Sequence, residues 1–380
     1  MKKTIVIFYC MLLMLYSFSQ QTCNDDMIMN TKGNWEKRSD ANVFPDSSFP
    51  KSQFAQANIR IDKMQKLLQA AYPQPKGIEA GWYRSISGRA LVKGGPAPYE
   101  LSALFLAYYC NSNKIELGEE TATWFYVYAN QFNWFLEYDN YFTVKKNRVY
   151  LLTKKVGELQ GYPVYEGIHN GTSNTGTTYS RAIIITRSGQ SPYLPVTRKQ
   201  YLLLFLKRYE QEKAKQLPIL ENMPVKSDAE EEMNKQKGLE KIERTTSPDK
   251  LERAKSNYLR SYTTDKQRKE ENLKKINKMY DDMMKPAQEL LKNISEEEAV
   301  MPAIVKGEYV SKFERFSTEE QGGRMLVRLN PDYFDTKLPK YVPQFLIVYW
   351  RWEKGKASEN FKNQLEANFN FNALKEMIDK

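Results

Sequence analysis

Leu101-Ser-Ala-Leu-Phe-Leu-Ala-Tyr-Tyr109, Trp124-Phe-Tyr-Val-Tyr128 and Tyr179-Ser-Arg-Ala-Ile-Ile-Ile-Thr186 decide the fold class. Each is short, rich in β-branched and aromatic residues and bounded by turn formers, the pattern of a β-strand. Runs of the same kind occupy 121–135, 141–144, 149–156, 162–166 and 193–196. Asn111-Ser-Asn113, Lys146-Asn147 and Arg187-Ser-Gly189 supply turns between them. Many short strands with tight connections predict an aromatic-rich antiparallel sheet, strongly curved or barrel-like. Strand signals return at 309–316, 324–329 and 344–352. Those late strands form a small domain of their own or complete the first sheet, with what lies between as an insertion.

Helical periodicity frames these strands, so the class expected is α+β. Ile61, Met64, Leu68 and Ala71 recur every three or four residues, and Tyr72-Pro-Gln-Pro75 ends that helix. Thr197-Arg-Lys-Gln200 fits a capping box opening a helix to Gln216, before Pro218. Residues 226–295 are densely charged and contain neither Trp nor Phe. Ser227, Ser247 and Ser295 look like N-caps, and the thin apolar stripes Leu251, Ala254, Tyr258, Tyr262 and Leu273, Ile276, Met279 (or Tyr280), Met283 suit long exposed helices. Such a section reads as a solvated helical insertion or as an arm for a protein partner. A last helix carries Phe361, Leu365, Phe369, Leu374 and Ile378. The resulting division is 1–19 signal peptide, 20–54 irregular leader, 55–217 helix plus antiparallel sheet, 218–300 charged helices, and 301–380 strands and helix.

The first nineteen residues predict export. Lys2 and Lys3 precede an apolar run from Ile5 to Tyr16, and Ser17-Phe-Ser19 gives small residues before Gln20. Twelve apolar residues reach only about 18 Å as a helix, short of the roughly 30 Å hydrocarbon core. Cleavage would leave no transmembrane segment and would place the chain in the periplasm or outside the cell. It also removes Cys10 and leaves Cys23 and Cys110, an even pair that predicts one disulfide in an oxidising compartment.

Two segments carry a family resemblance: Arg187-Ser-Gly-Gln-Ser-Pro-Tyr-Leu-Pro-Val-Thr-Arg-Lys-Gln-Tyr-Leu202, and Leu326-Val-Arg-Leu-Asn-Pro-Asp-Tyr-Phe334 continued by Leu338-Pro339 and Pro343-Gln344. With the leader, they resemble a group of large exported proteins typical of Bacteroidetes. The resemblance implies a cell-envelope location; it brings no activity.

A single histidine, His169, narrows the chemistry. Two- and three-histidine zinc sites cannot be built within the chain, and no Gly-rich phosphate loop or recognised nucleic-acid motif occurs. No metal, cofactor or nucleic-acid partner is expected. His169 lies in a turn, with no nucleophile elbow elsewhere. If that turn is functional, Glu166, His169 and Arg181 meet near the mouth of the sheet. Paired carboxylates need no histidine; Glu119, Glu120, Asp332 and Asp335 are candidates by type alone. Trp134 and Tyr138, set among Asn133, Glu137 and Asp139, are the aromatics best suited to a sugar platform. The formal net charge of +11 concentrates in Arg181, Arg187, Arg198, Lys199, Lys207, Arg208, Lys213 and Lys215, with Lys145, Lys146, Arg148, Lys154 and Lys155 as a second cluster. Such clusters favour an envelope glycan or another polyanion. The function expected is a non-enzymatic binding or scaffolding protein of the envelope; the alternative is a carboxylate-dependent hydrolase acting on glycans.

Overall fold

The computed structural model describes residues 23–40, 49–86, 89–133, 135–138, 149–173, 176–306, 313 and 315–380. The protein is α+β and divides into two units. Of the described residues, those up to 138, those from 149 to 194 and those from 327 onward form the first; 195–306, 313 and 315–326 form the second.

The first unit is built on a ten-stranded sheet. Its strands are β1 (Trp35–Lys37), β2 (Ile78–Ser85), β3 (Tyr99–Asn111), β4 (Lys114–Leu117), β5 (Trp124–Ala129), β8 (Lys155–Leu159), β9 (Tyr162–Glu166), β10 (Gly171–Ser173), β11 (Gly176–Ile185) and β15 (Leu346–Glu353). The spatial order is β1-β2-β3-β5-β15-β11-β9-β8, with β4 on β3 and β10 on β11. Within this sheet the pairings are antiparallel except that of β1 with β2, and among the described residues the path stays open between β1 and β8. The late strand β15 therefore completes the first sheet, lying between β5 and β11.

Alternation along each strand assigns the two faces. Leu101, Ala103 and Phe105 of β3, Phe125 and Val127 of β5, and Val348 and Trp350 of β15 enter one core cluster. Helices α2 (Phe54–Ala71), α8 (Lys356–Asn368) and α9 (Phe371–Lys375) cover that face through Ile61, Met64, Leu68, Phe361, Leu365 and Leu374. Glu366 on α8 accepts from Arg181 at 2.8 Å and from the Trp350 indole at 3.1 Å, tying helix to sheet.

Residues read as an irregular leader hold order of their own. Asn24 caps α1 (Asp25–Asn30), and β1 follows. Cys23 and Cys110 form the expected disulfide, with Cα atoms 5.7 Å apart. Gly33 lies against β2: a Cβ there would stand 1.8 Å from the Ile78 carbonyl oxygen. The unit also holds the pair β6 (Leu136–Tyr138) with β7 (Val149–Leu152), and β12 (Tyr193–Pro195) begins in it. The expected strand at 141–144 and the Lys146-Asn147 turn lie outside the described residues.

The second unit is mainly helical: α3 (Arg198–Glu221), α4 (Asp228–Thr245), α5 (Pro248–Ser261), α6 (Asp265–Asn293) and α7 (Glu296–Val300), with the short strand β13 (Ile304–Val305) against the start of β14 (Arg324–Leu329). Helix α3 starts at the predicted Thr197 box but runs past Gln216 to Glu221. Pro218 lies in its last turn, where a missing N–H removes one ladder bond and does not break the helix. Boxes at Ser227–Glu230 and Thr264–Gln267 open α4 and α6. The buried face of α6 is Tyr280, Met284 and Ala287: of the alternatives Met279 and Tyr280 it takes Tyr280, and the next position is Met284 rather than Met283. Tyr280 meets Tyr209 of α3 at 6.2 Å, and Lys213 pairs with Asp281 at 2.8 Å. Gly238 lets α4 and α5 approach, since a Cβ would fall 2.0 Å from the Tyr258 hydroxyl. Of the strand expected at 309–316, residues 309–312 and 314 lie outside the described residues.

Candidate functional site

The face of the sheet opposite the helices is polar and aromatic. Three adjacent register lines run across it. The middle line reads Tyr83 on β2, Ser102 on β3, Tyr126 on β5, Tyr349 on β15, Ala182 on β11 and Tyr165 on β9. On one side stand Glu100, Tyr128 and Ile347; on the other, Gly81, Leu104, Trp124, Arg351 and Ser180. Antiparallel pairing puts these side chains beside one another although they come from distant parts of the chain.

Glu100 is the most perturbed acid of this face. Its carboxylate accepts from the Ser102 hydroxyl and from Gln131 Nε2, each at 3.1 Å. Burial raises its proton affinity, and these two neutral donors offset only part of that effect. Tyr83 is raised by burial, with a contribution from the Glu100 charge. Burial also raises Tyr126, on which Glu100 and Arg351 act in opposite senses, and pushes Tyr349 up to about 12. All three phenols therefore keep their protons at neutral pH and can donate.

Along β5 the rings of Trp124, Tyr126 and Tyr128 stand parallel, with centroids 5.7 and 5.2 Å apart and planes within 9° and 10°. Their faces are used on one another. Trp124 and Tyr126 are part-exposed and Tyr128 is buried, so the row offers ring edges and the Tyr126 hydroxyl rather than a stacking platform. The Trp124 indole N–H is already given to the Thr121 carbonyl at 2.9 Å.

At the β11 end the loop after β9 folds onto this face. Gly167 allows it, because a Cβ there would stand 2.3 Å from Ser180 Oγ and 2.8 Å from Tyr349 Cε2. His169 lies 6.3 Å from the Tyr349 ring. Burial and the Arg351 charge lower the proton affinity of the imidazole, which holds it neutral at pH 7. Ser180 is engaged with Asn170: its hydroxyl donates to Oδ1 at 3.0 Å and accepts from the His169 N–H at 3.3 Å. A buried, occupied hydroxyl of this kind is a positioning group, not a nucleophile. At the β2 end, Glu36, Lys37, Arg38, Ser39 and Tyr83 line an open hollow of about 750 Å³.

The residues singled out from sequence divide between the faces. Glu166 is the cross-strand neighbour of Arg181 and is linked to the His169 loop through Asn170, whose Nδ2 donates to Glu166 at 2.8 Å. Arg181 faces the helices, bound to Glu366. Trp134 lies outside the described residues, as does the side chain of Tyr138. Glu119, Glu120, Asp332 and Asp335 are all exposed. The basic cluster at 181–215 is largely neutralised: Arg187 pairs with Asp379 at 2.6 Å, Arg208 with Glu212 at 2.8 Å, and Arg198 with Glu298. Lys145, Lys146 and Arg148 lie outside the described residues. Among the described residues no group of three His, Cys, Asp or Glu side chains is arranged to hold a metal ion, and no helix is long and apolar enough to cross a membrane. Comparison with family models, curated proteins and solved structures gives no match.

The Glu100 environment yields a pH prediction. The folded state holds this proton more tightly than the unfolded chain does, so stability falls as pH rises above the ordinary value of 4.5. Every tenfold weakening of the acid is worth about 1.4 kcal/mol at neutral pH. Glu100→Gln is expected to be more stable than the parent in urea titrations at neutral pH, and equal to it near pH 4. A Glu100→Gln chain less stable at neutral pH would show that the charged form is the favoured one.

Proposed function

We propose that the chain is an exported cell-envelope protein that binds saccharide on the polar face of its sheet and does not turn it over. The observation that carries this reading is the part-exposed pair Tyr83 and Tyr126 on the middle register line, flanked by Glu100 and Gln131, while Ser102 and Tyr349 of the same line are buried. Two phenols, a carboxyl and an amide held at strand spacing match the alternating donors and acceptors of a sugar ring. A rigid sheet preorganises them, which lowers the entropic cost of binding. The leader, the pairing of Cys23 with Cys110 and the resemblance to exported proteins of Bacteroidetes support the location.

Isothermal titration of the mature chain against envelope and dietary oligosaccharides tests the reading. Tyr126→Ala is expected to weaken binding by about tenfold, as loss of a well-placed hydrogen-bonding aromatic does. Unchanged affinity in that variant, or no affinity in the parent, overturns the site.

One observation favours a hydrolase. Glu100 has the raised proton affinity of a general acid. Release of reducing sugar by the parent, abolished in Glu100→Gln, would replace the binding reading with that one.

A further inference from the structure

We infer that the saccharide bound on this face is acidic, carrying one carboxylate per recognised unit, and that Arg351 is its anchor; the inference rests on the reading of the face as a saccharide site. Arg351 is partly buried on β15, between Trp124 of β5 and Ser180 of β11. Its Nε donates to the Ala122 carbonyl at 2.6 Å, and among the described residues it has no carboxylate partner. Three other guanidiniums of this unit are neutralised within the chain: Arg84 by Asp62 at 2.8 Å, Arg181 by Glu366 at 2.8 Å and Arg187 by Asp379 at 2.6 Å; Arg60, also part-buried, donates to the Gln56 and Lys380 carbonyl oxygens. Arg328 also lacks a hydrogen bond at its buried Nε, but its surroundings on β14 assign it no ligand.

A guanidinium taken partly out of water without a counter-charge is unfavourable, and it is stabilised when an anion completes it. The charge of Arg351 reaches the site itself, since it lowers the proton affinities of Tyr126, Tyr349 and His169. Two terminal NH2 groups remain to form the planar fork that matches a carboxylate. Two neighbours limit the ligand to a single negative charge. His169 is held neutral and adds no second cation. Glu100 acts on the same Tyr126 from the other side and repels further negative charge. A uronic acid fits: carboxylate on Arg351, ring hydroxyls on the part-exposed Tyr126 and Tyr83.

The test compares a hexuronic acid trisaccharide with its carboxyl-reduced, neutral counterpart, each titrated into the disulfide-bonded mature chain. The acidic form is expected to bind about tenfold tighter or more, with the advantage shrinking as salt is added. Arg351→Gln should bring the affinity for the acidic sugar down to that for the neutral one. Arg351→Lys keeps the charge without the fork and should retain part of the preference; it carries the test if the glutamine variant does not fold. Equal affinity of the parent for the two sugars overturns the inference and leaves the saccharide site standing. A full acidic preference in both folded variants also overturns it. Binding of neither sugar overturns the inference and the site together.

Discussion

Replacing Cys23 and Cys110 by serine is expected to lower the free energy of unfolding by about 4–5 kcal/mol, the chain-entropy value for a loop of this length. The two cysteines are 87 residues apart in sequence, so the bridge removes a large share of the freedom of the unfolded chain. The loss should be uneven in the folded state. The bridge joins the residue before α1 to the far end of β3, where Cys110 pairs with Ile115 of β4. Between Cys23 and the sheet lie only α1, the Lys32–Lys76 bridge and the three pairs of β1 with β2. Without the disulfide that segment should show the first rise in amide hydrogen exchange, over residues 24–37. Urea titration supplies the global figure. A variant as stable as the parent, with unchanged exchange there, would show that α1 and β1 are held by packing alone.

The second large effect is expected from Phe105→Ala, about 3–5 kcal/mol for emptying a fully buried aromatic site. Phe105 is fully buried where three elements meet. Its ring lies 3.9 Å from Phe361 of α8, 5.7 Å from Trp35 of β1 and 6.3 Å from Tyr72 at the end of α2. None of these neighbours can move into the gap freely, because Trp35 is fixed by its indole bond to the Tyr72 carbonyl at 2.9 Å. Phe105→Leu should cost much less, since it refills most of the volume. A shift in the urea midpoint below that given by about 1 kcal/mol for the alanine variant would show that the site collapses.

The elements readable from sequence are those whose cause is local. β9 and β14 begin and end where their composition does. The boxes at Thr197 and Ser227 announce their helices because a cap is a contact within four residues. β1 and β2 escape this reading. Trp35-Glu-Lys37 is too short to carry a pattern and owes its extended form to β2. In Ile78-Glu-Ala-Gly-Trp-Tyr-Arg-Ser85 the small Ala80 and Gly81 blur the alternation. Gly81 is small because Arg38 lies across it, with Nε 2.4 Å from where a Cβ would be.

The candidate site was legible only in its corner at His169. Its main lines join strands whose register no local pattern fixes. Trp124-Phe-Tyr-Val-Tyr128 reads equally as core or as platform until β3 and β15 assign Tyr126 its neighbours. Arg351 lies within an apolar run and offers no motif. Its standing comes from making no ion pair among the described residues, which sequence cannot display.

The place of β15 also governs the order in which this protein can fold. Its neighbours on both sides, β5 and β11, precede it by a long stretch of chain that includes the whole helical unit. A nascent chain ending at Phe345 holds two half-sheets, each with a bare edge where the central strand belongs. Those edges are open templates for strands of other molecules. The capped helices form from contacts close in sequence and need not wait. Synthesis therefore delivers the helical unit first and the sheet last, and a chain held unfolded until Glu353 has emerged avoids the interval in which those edges are exposed.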